Sequence, residues 1–345
     1  MTKFKQLLQR ISLTVLVVFL FFVTLEIILR LTSEKKEVNV PIILRYSENP
    51  KLLYELVPET FRNMNGINIT INSKGMRDYE INFEKPKNVY RVALLGDSIP
   101  LGIELNVSDT FPKVLEAILN KNSRYKKFEV LNFAVPGYGT KEEAEVLKTK
   151  AMKFSPDVVV VSYVLNDPEI STSLQSYFSQ HPKNGSRICK INFLNLAINC
   201  ELKDFIDSLY VSEFIYSKAL NMRSRLNEDY YTRAYKDEIL WKNVVDSFAE
   251  IKGTIKTNRT KVVVVIFPLL YDNLTNYRWK WIHDMIKNEG EKNGFQVLDL
   301  LDTYKKFDIN DLKSSKKDIL HFNKNGHIIA AEEIYIFLAK NGLIN

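Results

Sequence analysis

The chain has 345 residues, 46% of them hydrophobic, and a formal net charge of +7. That length and apolar content exclude a disordered chain and allow one large domain or two small ones. The positive charge alone would suit nucleic acid, but the lysines are spread along the chain with no helix-turn-helix, zinc or RNA-binding signature, so no nucleic-acid partner is expected.

The first element is a charge-free apolar run over residues 11–25, extended past Glu26 by Ile27, Ile28 and Leu29. About nineteen residues at ~1.5 Å rise cover roughly 28 Å, close to a hydrocarbon core, so residues 1–32 read as an N-terminal transmembrane helix. A cleaved signal peptide is the alternative, but the run is long and no small-x-small cleavage site follows it. Lys3, Lys5 and Arg10 precede the run and Arg30, Lys35 and Lys36 follow, which barely decides orientation. The simplest topology is a short cytoplasmic arm with the bulk of the chain outside. Residues 33–87 read as a connector and lead-in. Within them residues 67–71 alternate as a strand does, and residues 72–78 read as a turn, with Arg77 expected to be a solvated turn arginine and a place beside a cleft the second reading.

From Tyr90 strand and helix patterns alternate, as in a parallel sheet covered on both faces. Strands are expected at residues 91–95, 129–133, 158–163, 262–267 and 296–300. Helices are expected at residues 111–120, 141–153, 241–256, 279–293 and 325–340. Residues 169–240 break this rhythm. The stretch is too long for an ordinary loop and reads as a helical cap insertion. Its aromatic residues, Tyr177, Phe178, Tyr210, Phe214, Tyr216, Tyr230 and Tyr231, are expected mainly to pack the cap, with sugar stacking the second reading. Cys189 and Cys200 fall inside it, at a spacing that carries no metal motif and leaves a disulfide open.

Chemistry enters where the apolar run Val92 to Leu95 breaks off into Gly96, Asp97 and Ser98. A serine at a strand's carboxyl end is a candidate nucleophile once a base takes its proton. Near the other end of the chain, His321 follows Asp318 by three residues, close enough for the carboxylate to fix the imidazole tautomer. Between them lie the stretch from Asn132 to Gly139 and the stretch from Val164 to Asp167, which supply a glycine N–H and a side-chain amide, the donors an oxyanion hole needs. Asp97 and Asp167 are expected to brace their own loops. His327 reads as a structural residue opening the last helix, and His181 and His283 as surface or cap residues.

With these four blocks in this order, the sequence resembles the SGNH/GDSL hydrolase family over residues 88–345. The resemblance implies an α/β fold, a flavodoxin-like parallel sheet flanked by helices, here with the cap insertion and the N-terminal transmembrane helix. It also implies Ser98 as nucleophile, Asp318 and His321 as the base pair, and the Ser98 N–H, Gly137 and Asn166 as oxyanion donors. Ile99 stands where the family usually has leucine and Val164 where it usually has glycine. The expected activity is serine-dependent ester hydrolysis at or outside the membrane, without metal or organic cofactor, on a small-molecule ester or acylated glycan. An O-acetyltransferase or deacetylase of a cell-surface glycan is the alternative, and a catalytically silent binding scaffold the rival from another class.

Overall fold

Residues 158–161 are four consecutive valines, and a strand apolar on both faces is stable only when both faces are covered. In the computed structural model that strand is the middle of a five-stranded parallel sheet and is buried along its whole length. The structure describes residues 2–32, 43–64, 66–180, 189–191, 196–198, 211, 229–255, 259–271 and 274–344. His181, Cys200, Tyr210, Phe214 and Tyr216 lie outside the described residues, as does the side chain of Cys189.

In chain order the strands are β1 (Leu44–Tyr46), β2 (Tyr54–Leu56), β3 (Thr60–Met64), β4 (Ile67–Ile71), β5 (Val89–Leu95), β6 (Lys127–Asn132), β7 (Val158–Tyr163), β8 (Cys189–Ile191), β9 (Leu196–Ile198), β10 (Lys261–Ile266) and β11 (Gln296–Asp299). The main sheet runs β11-β10-β7-β5-β6, all pairs parallel. The chain leaves β5 for β6 on one side and then crosses back to β7 on the other, which makes β5 the switch point where open α/β sheets form their crevice. Leu94 pairs with Asn132 and Leu95 with Val161, so the carboxyl ends of β5, β6 and β7 lie side by side. The helices Phe111–Asn122 and Lys324–Lys340 pack together, as do Thr140–Thr149 and Glu238–Ile255. Lys280–Lys292 contacts Glu238–Ile255, the edge strand β11 and its neighbour β10. The helix expected to run to residue 153 ends at Thr149 and gives way to a 3-10 turn, Ala151–Phe154.

Residues 43–87 are more than a lead-in. β1 pairs with β2 and β3 with β4, both antiparallel, and Ile43, Tyr54, Leu56, Ile69, Ile71 and Met76 join the core that contains Val92 and Leu94. Tyr54 stacks on Phe178 with ring centroids 5.0 Å apart and donates its hydroxyl to Pro136 O at 3.0 Å. Two expectations fail here. Arg77 is buried, not solvated, because its guanidinium reaches backbone carbonyls beyond Ser98. His283 is also buried, since its Nδ1 bonds Asp299 Oδ1 at 2.8 Å at the end of β11 while Tyr277 packs edge-on against its ring.

Two compact units are distinguished, one of Met1–Val40 with Ser179–Asp229, the other of Pro41–Phe178 with Tyr230–Asn345. The five-stranded sheet belongs to the second. In the first, the helix Thr2–Thr32 includes Phe4–Leu31, with hydropathy 2.7, the one helix among the described residues long and apolar enough to cross a membrane. A signal sequence meets the same criterion. Glu26, the charge inside that run, pairs with Arg30 at 2.7 Å and accepts the Val211 N–H at 2.9 Å. The described part of the insertion holds the helices Thr172–Gln180 and Tyr230–Lys236 and an antiparallel β8–β9 hairpin, a strand pair the helical expectation lacked.

Candidate active site

β5 ends at Leu95, and Gly96 and Asp97 turn the chain into a single helical turn, Ser98–Leu101. Asp97 caps it, accepting the Ile99 N–H on Oδ1 at 3.1 Å. Ser98 is the first residue of this turn, where a backbone N–H has no intrahelical acceptor. The turn closes on Gly102, in the left-handed conformation with φ of 61°, whose N–H returns to Ser98 O at 2.9 Å.

His321 comes from the loop before the helix Lys324–Lys340. The loop is tied by Ser314 N–H to His321 O (3.1 Å), Asn323 N–H to Leu312 O (2.7 Å) and Leu270 N–H to Ile319 O (2.7 Å). Asp318 Oδ1 accepts the Leu320 and His321 N–H groups at 2.8 and 3.0 Å, and Oδ2 meets His321 Nδ1 at 2.8 Å. His321 Nε2 stands 2.8 Å from Ser98 Oγ. Residues 223 positions apart thus form one hydrogen-bonded chain from hydroxyl to imidazole to carboxylate.

The electrostatics of the chain follow from its partners. Burial alone would raise the Asp318 carboxyl, but the His321 bonds to its side chain and backbone hold it well below the usual carboxylate range. Burial would lower the His321 pKa, yet the Asp318 carboxylate, with smaller pulls from Asp97 and Glu104, raises it above the ordinary imidazole value. An ionised Asp318 accepting from Nδ1–H leaves Nε2 as the lone-pair atom facing Ser98, the arrangement in which an imidazole can take a hydroxyl proton.

Asn166 Nδ2 donates to Asp97 Oδ2 at 3.0 Å, which brings the amide that follows β7 beside the turn that follows β5. This bridge by Asp97 was not read from the sequence, since it joins residues 69 positions apart in the segments that follow two neighbouring strands. Val164, where the family usually has glycine, is buried, gives its N–H to Asp167 Oδ2 at 3.0 Å and is absent from the positive-φ residues, so this backbone path does not require glycine. Gly137 lies past the end of β6 with φ of 72°, and a Cβ there would fall 2.5 Å from Ser171 Cβ. Among the described residues no hydrogen bond joins its N–H to Ser98 or Asn166.

Below these groups sit three carboxyls, Asp97, Glu143 and Asp167, each 1% exposed. Burial, reinforced by their mutual repulsion, raises Glu143 and Asp167 well above the normal range. His327 is buried too, its Nδ1 accepting the Phe111 N–H at 2.9 Å, and burial with the nearby Arg77 and His321 charges pushes its pKa down to about 3. It stays neutral at physiological pH and braces the start of the last helix. The described residues include no cluster suited to a metal ion.

The model of the GDSL-like lipase/acylhydrolase family matches residues 94–329. The chain belongs to that family. This acylhydrolase is therefore an ester-hydrolysing enzyme. Among solved structures it is similar to an acetylxylan esterase from Geobacillus stearothermophilus, at 11% identity over 73% of this chain and 94% of the other, with a TM-score of 0.44. It is similar also to the lipase/acylhydrolase from Enterococcus faecalis, at 14% identity over 73% and 96% of the two chains, TM-score 0.42. A lipolytic protein of the G-D-S-L family from Desulfitobacterium hafniense aligns at 12% identity over 71% and 98%, TM-score 0.42. No curated protein matches the chain.

Proposed function

We propose that Ser98 attacks the carbonyl of a short-chain ester while His321 takes its proton, with Asp318 holding the ring. The observation that carries this reading is the continuous chain of 2.8 Å contacts from Ser98 Oγ through His321 to Asp318. The carbonyl oxygen, negative in the tetrahedral intermediate, is held by the Ser98 N–H, the Gly137 N–H and the Asn166 amide, whose second N–H is not taken by Asp97. His321 then gives its proton to the leaving alcohol, and water attacks the acyl-serine, with His321 again the base. We read the acyl group as short because the apolar side chains of Ile99, Ile103, Leu105 and Phe322 line the small pocket beside Ser98. An acetyl ester fits this description.

The alcohol side favours a glycan. Leu270, bonded to the base-bearing loop, is followed by Tyr271, 38% exposed and 5.7 Å from Trp279, which also meets Tyr231. Arg278 lies over both the Tyr271 and Trp279 rings, and Tyr230, 40% exposed, stacks edge-on to Tyr231. Tyr271 and Tyr230 keep part of their rings open to solvent, and partly exposed aromatic rings can pack against a sugar. Purified enzyme should hydrolyse p-nitrophenyl acetate and release acetate from acetylated sugars faster than it cleaves long-chain esters. Equal inertness toward all of them would remove the reading.

Because only neutral His321 can act as base, activity should fall as pH drops through a midpoint above 6.5. The sign follows from Asp318, Asp97 and Glu104, all of which favour the protonated ring. A kcat/KM profile on p-nitrophenyl acetate with its acid midpoint below that value would contradict the assignment.

We place this enzyme on a membrane through the helix Thr2–Thr32, with the hydrolase outside the cytoplasm. Its apolar length supports the reading. Full-length protein should stay in the membrane pellet through high-salt and alkaline carbonate washes, since the attachment is hydrophobic and salt screens only charge. Recovery of an N-terminally trimmed, soluble form would favour a cleaved signal instead.

A further inference from the structure

The turn that follows Ser98 is closed by a cation for which the chemistry above has no use. Arg77 is 0% exposed and forms no ion pair among the described residues. Asp78 beside it is committed to Lys113 at 2.6 Å. The Arg77 guanidinium is directed at the backbone instead, Nη1 donating to Leu101 O and Gly102 O and Nη2 to Leu105 O. Burial without a counter-charge lowers its pKa to about 10. Asn132 Nδ2 holds the preceding carbonyl, Pro100 O, at 2.8 Å. A buried, unpaired guanidinium is costly, and a core that needed only apolar filling would carry leucine or methionine here.

What those carbonyls share is their place. Gly102, Ile103, Glu104 and Leu105 line the cavity beside Ser98, together with Phe322. The planar fork of an arginine can hold several carbonyls in one fixed geometry, whereas lysine is a point charge on a flexible stem. Given the Ser98 reading above, we propose that Arg77 is a positioning residue that sets the acyl-chain limit. It clamps the backbone of residues 101–105 so that Ile103 and Leu105 close the space beside the reacting carbonyl.

The test compares full-length wild type, Arg77→Lys and Arg77→Met in detergent micelles on p-nitrophenyl acetate and p-nitrophenyl hexanoate. Reactive enzyme is counted by titration with a fluorophosphonate. The hexanoate-to-acetate ratio of kcat/KM is expected to rise about tenfold or more in Arg77→Met, since pocket contacts discriminate by such factors per methylene, and to rise less in Arg77→Lys. Simple loss of folded enzyme scales both esters alike and leaves the ratio unmoved. Ile103→Ala, which trims the same wall without touching the clamp, should raise the ratio as well. An unchanged ratio in both Arg77 variants overturns the proposal. So does failure of both to give any titratable serine, because Arg77 would then act in folding and not in selectivity. A wild type inert toward both esters and unlabelled at Ser98 overturns the Ser98 reading itself, and this one with it.

Discussion

Ser98→Ala is expected to lower turnover of p-nitrophenyl acetate by roughly 10⁴- to 10⁶-fold while leaving the folded structure intact. Only the hydroxyl is removed, and its nearest side-chain partner is His321 Nε2 at 2.8 Å, with Asp97 Oδ2 further off at 3.5 Å. His321→Ala should cost a similar factor, because the serine then has no group to take its proton. The two act as a unit, so the double variant should be scarcely slower than either single one. Additive losses would mean that hydroxyl and imidazole serve separate steps. A fluorophosphonate should label Ser98 in wild type and nothing in Ser98→Ala. Wild-type protein that is folded and unlabelled would leave the silent-scaffold reading in its place.

The second large effect is expected from Asp318→Asn, on the order of 10³ to 10⁴ in kcat, although the side chain keeps its shape. Oδ1 of Asp318 accepts two backbone N–H groups, so the asparagine oxygen must stay there and its NH₂ must take the place of Oδ2. That NH₂ donates to His321 Nδ1, where the carboxylate had accepted. The ring proton then moves to Nε2, which donates to Ser98 Oγ and can no longer receive its proton. Steady-state kinetics should show kcat lost with KM little changed. A variant within tenfold of wild type would show that the ring is oriented by something other than Asp318.

The parallel sheet was legible because its strands are short apolar runs bounded by polar turns; residues 158–163 were placed with the bounds observed for β7. Asp318 and His321 were legible together because a three-residue spacing lets a side chain reach its neighbour. Arg77 was not, since Ser73, Lys74 and Gly75 announce a turn and nothing nearby announces that its acceptors lie 24 to 28 residues further on. The same holds for Asp97 and Asn166, which meet only because β5 and β7 are neighbours in the sheet. His283 looked solitary because Asp299 reaches it only after a helix and a strand have folded back. Residues 43–87 carried weak periodicity because short antiparallel pairs take their burial from the sheet beneath them and not from their own alternation.

The hydroxyl and the imidazole stand on parts of the molecule with unequal holds. Ser98 follows β5, whose last four residues are fully buried between two paired strands, so its backbone opens only when the whole sheet does. His321 hangs from a half-exposed loop, kept in place by a handful of backbone bonds and the bridge between Lys313 and Phe322. Amide exchange in such a loop proceeds through small local openings, at a fraction of the free energy of global unfolding. Each such opening carries the base away from a serine that has not moved, so heat or mild denaturant extinguishes catalysis while the sheet still reads as native.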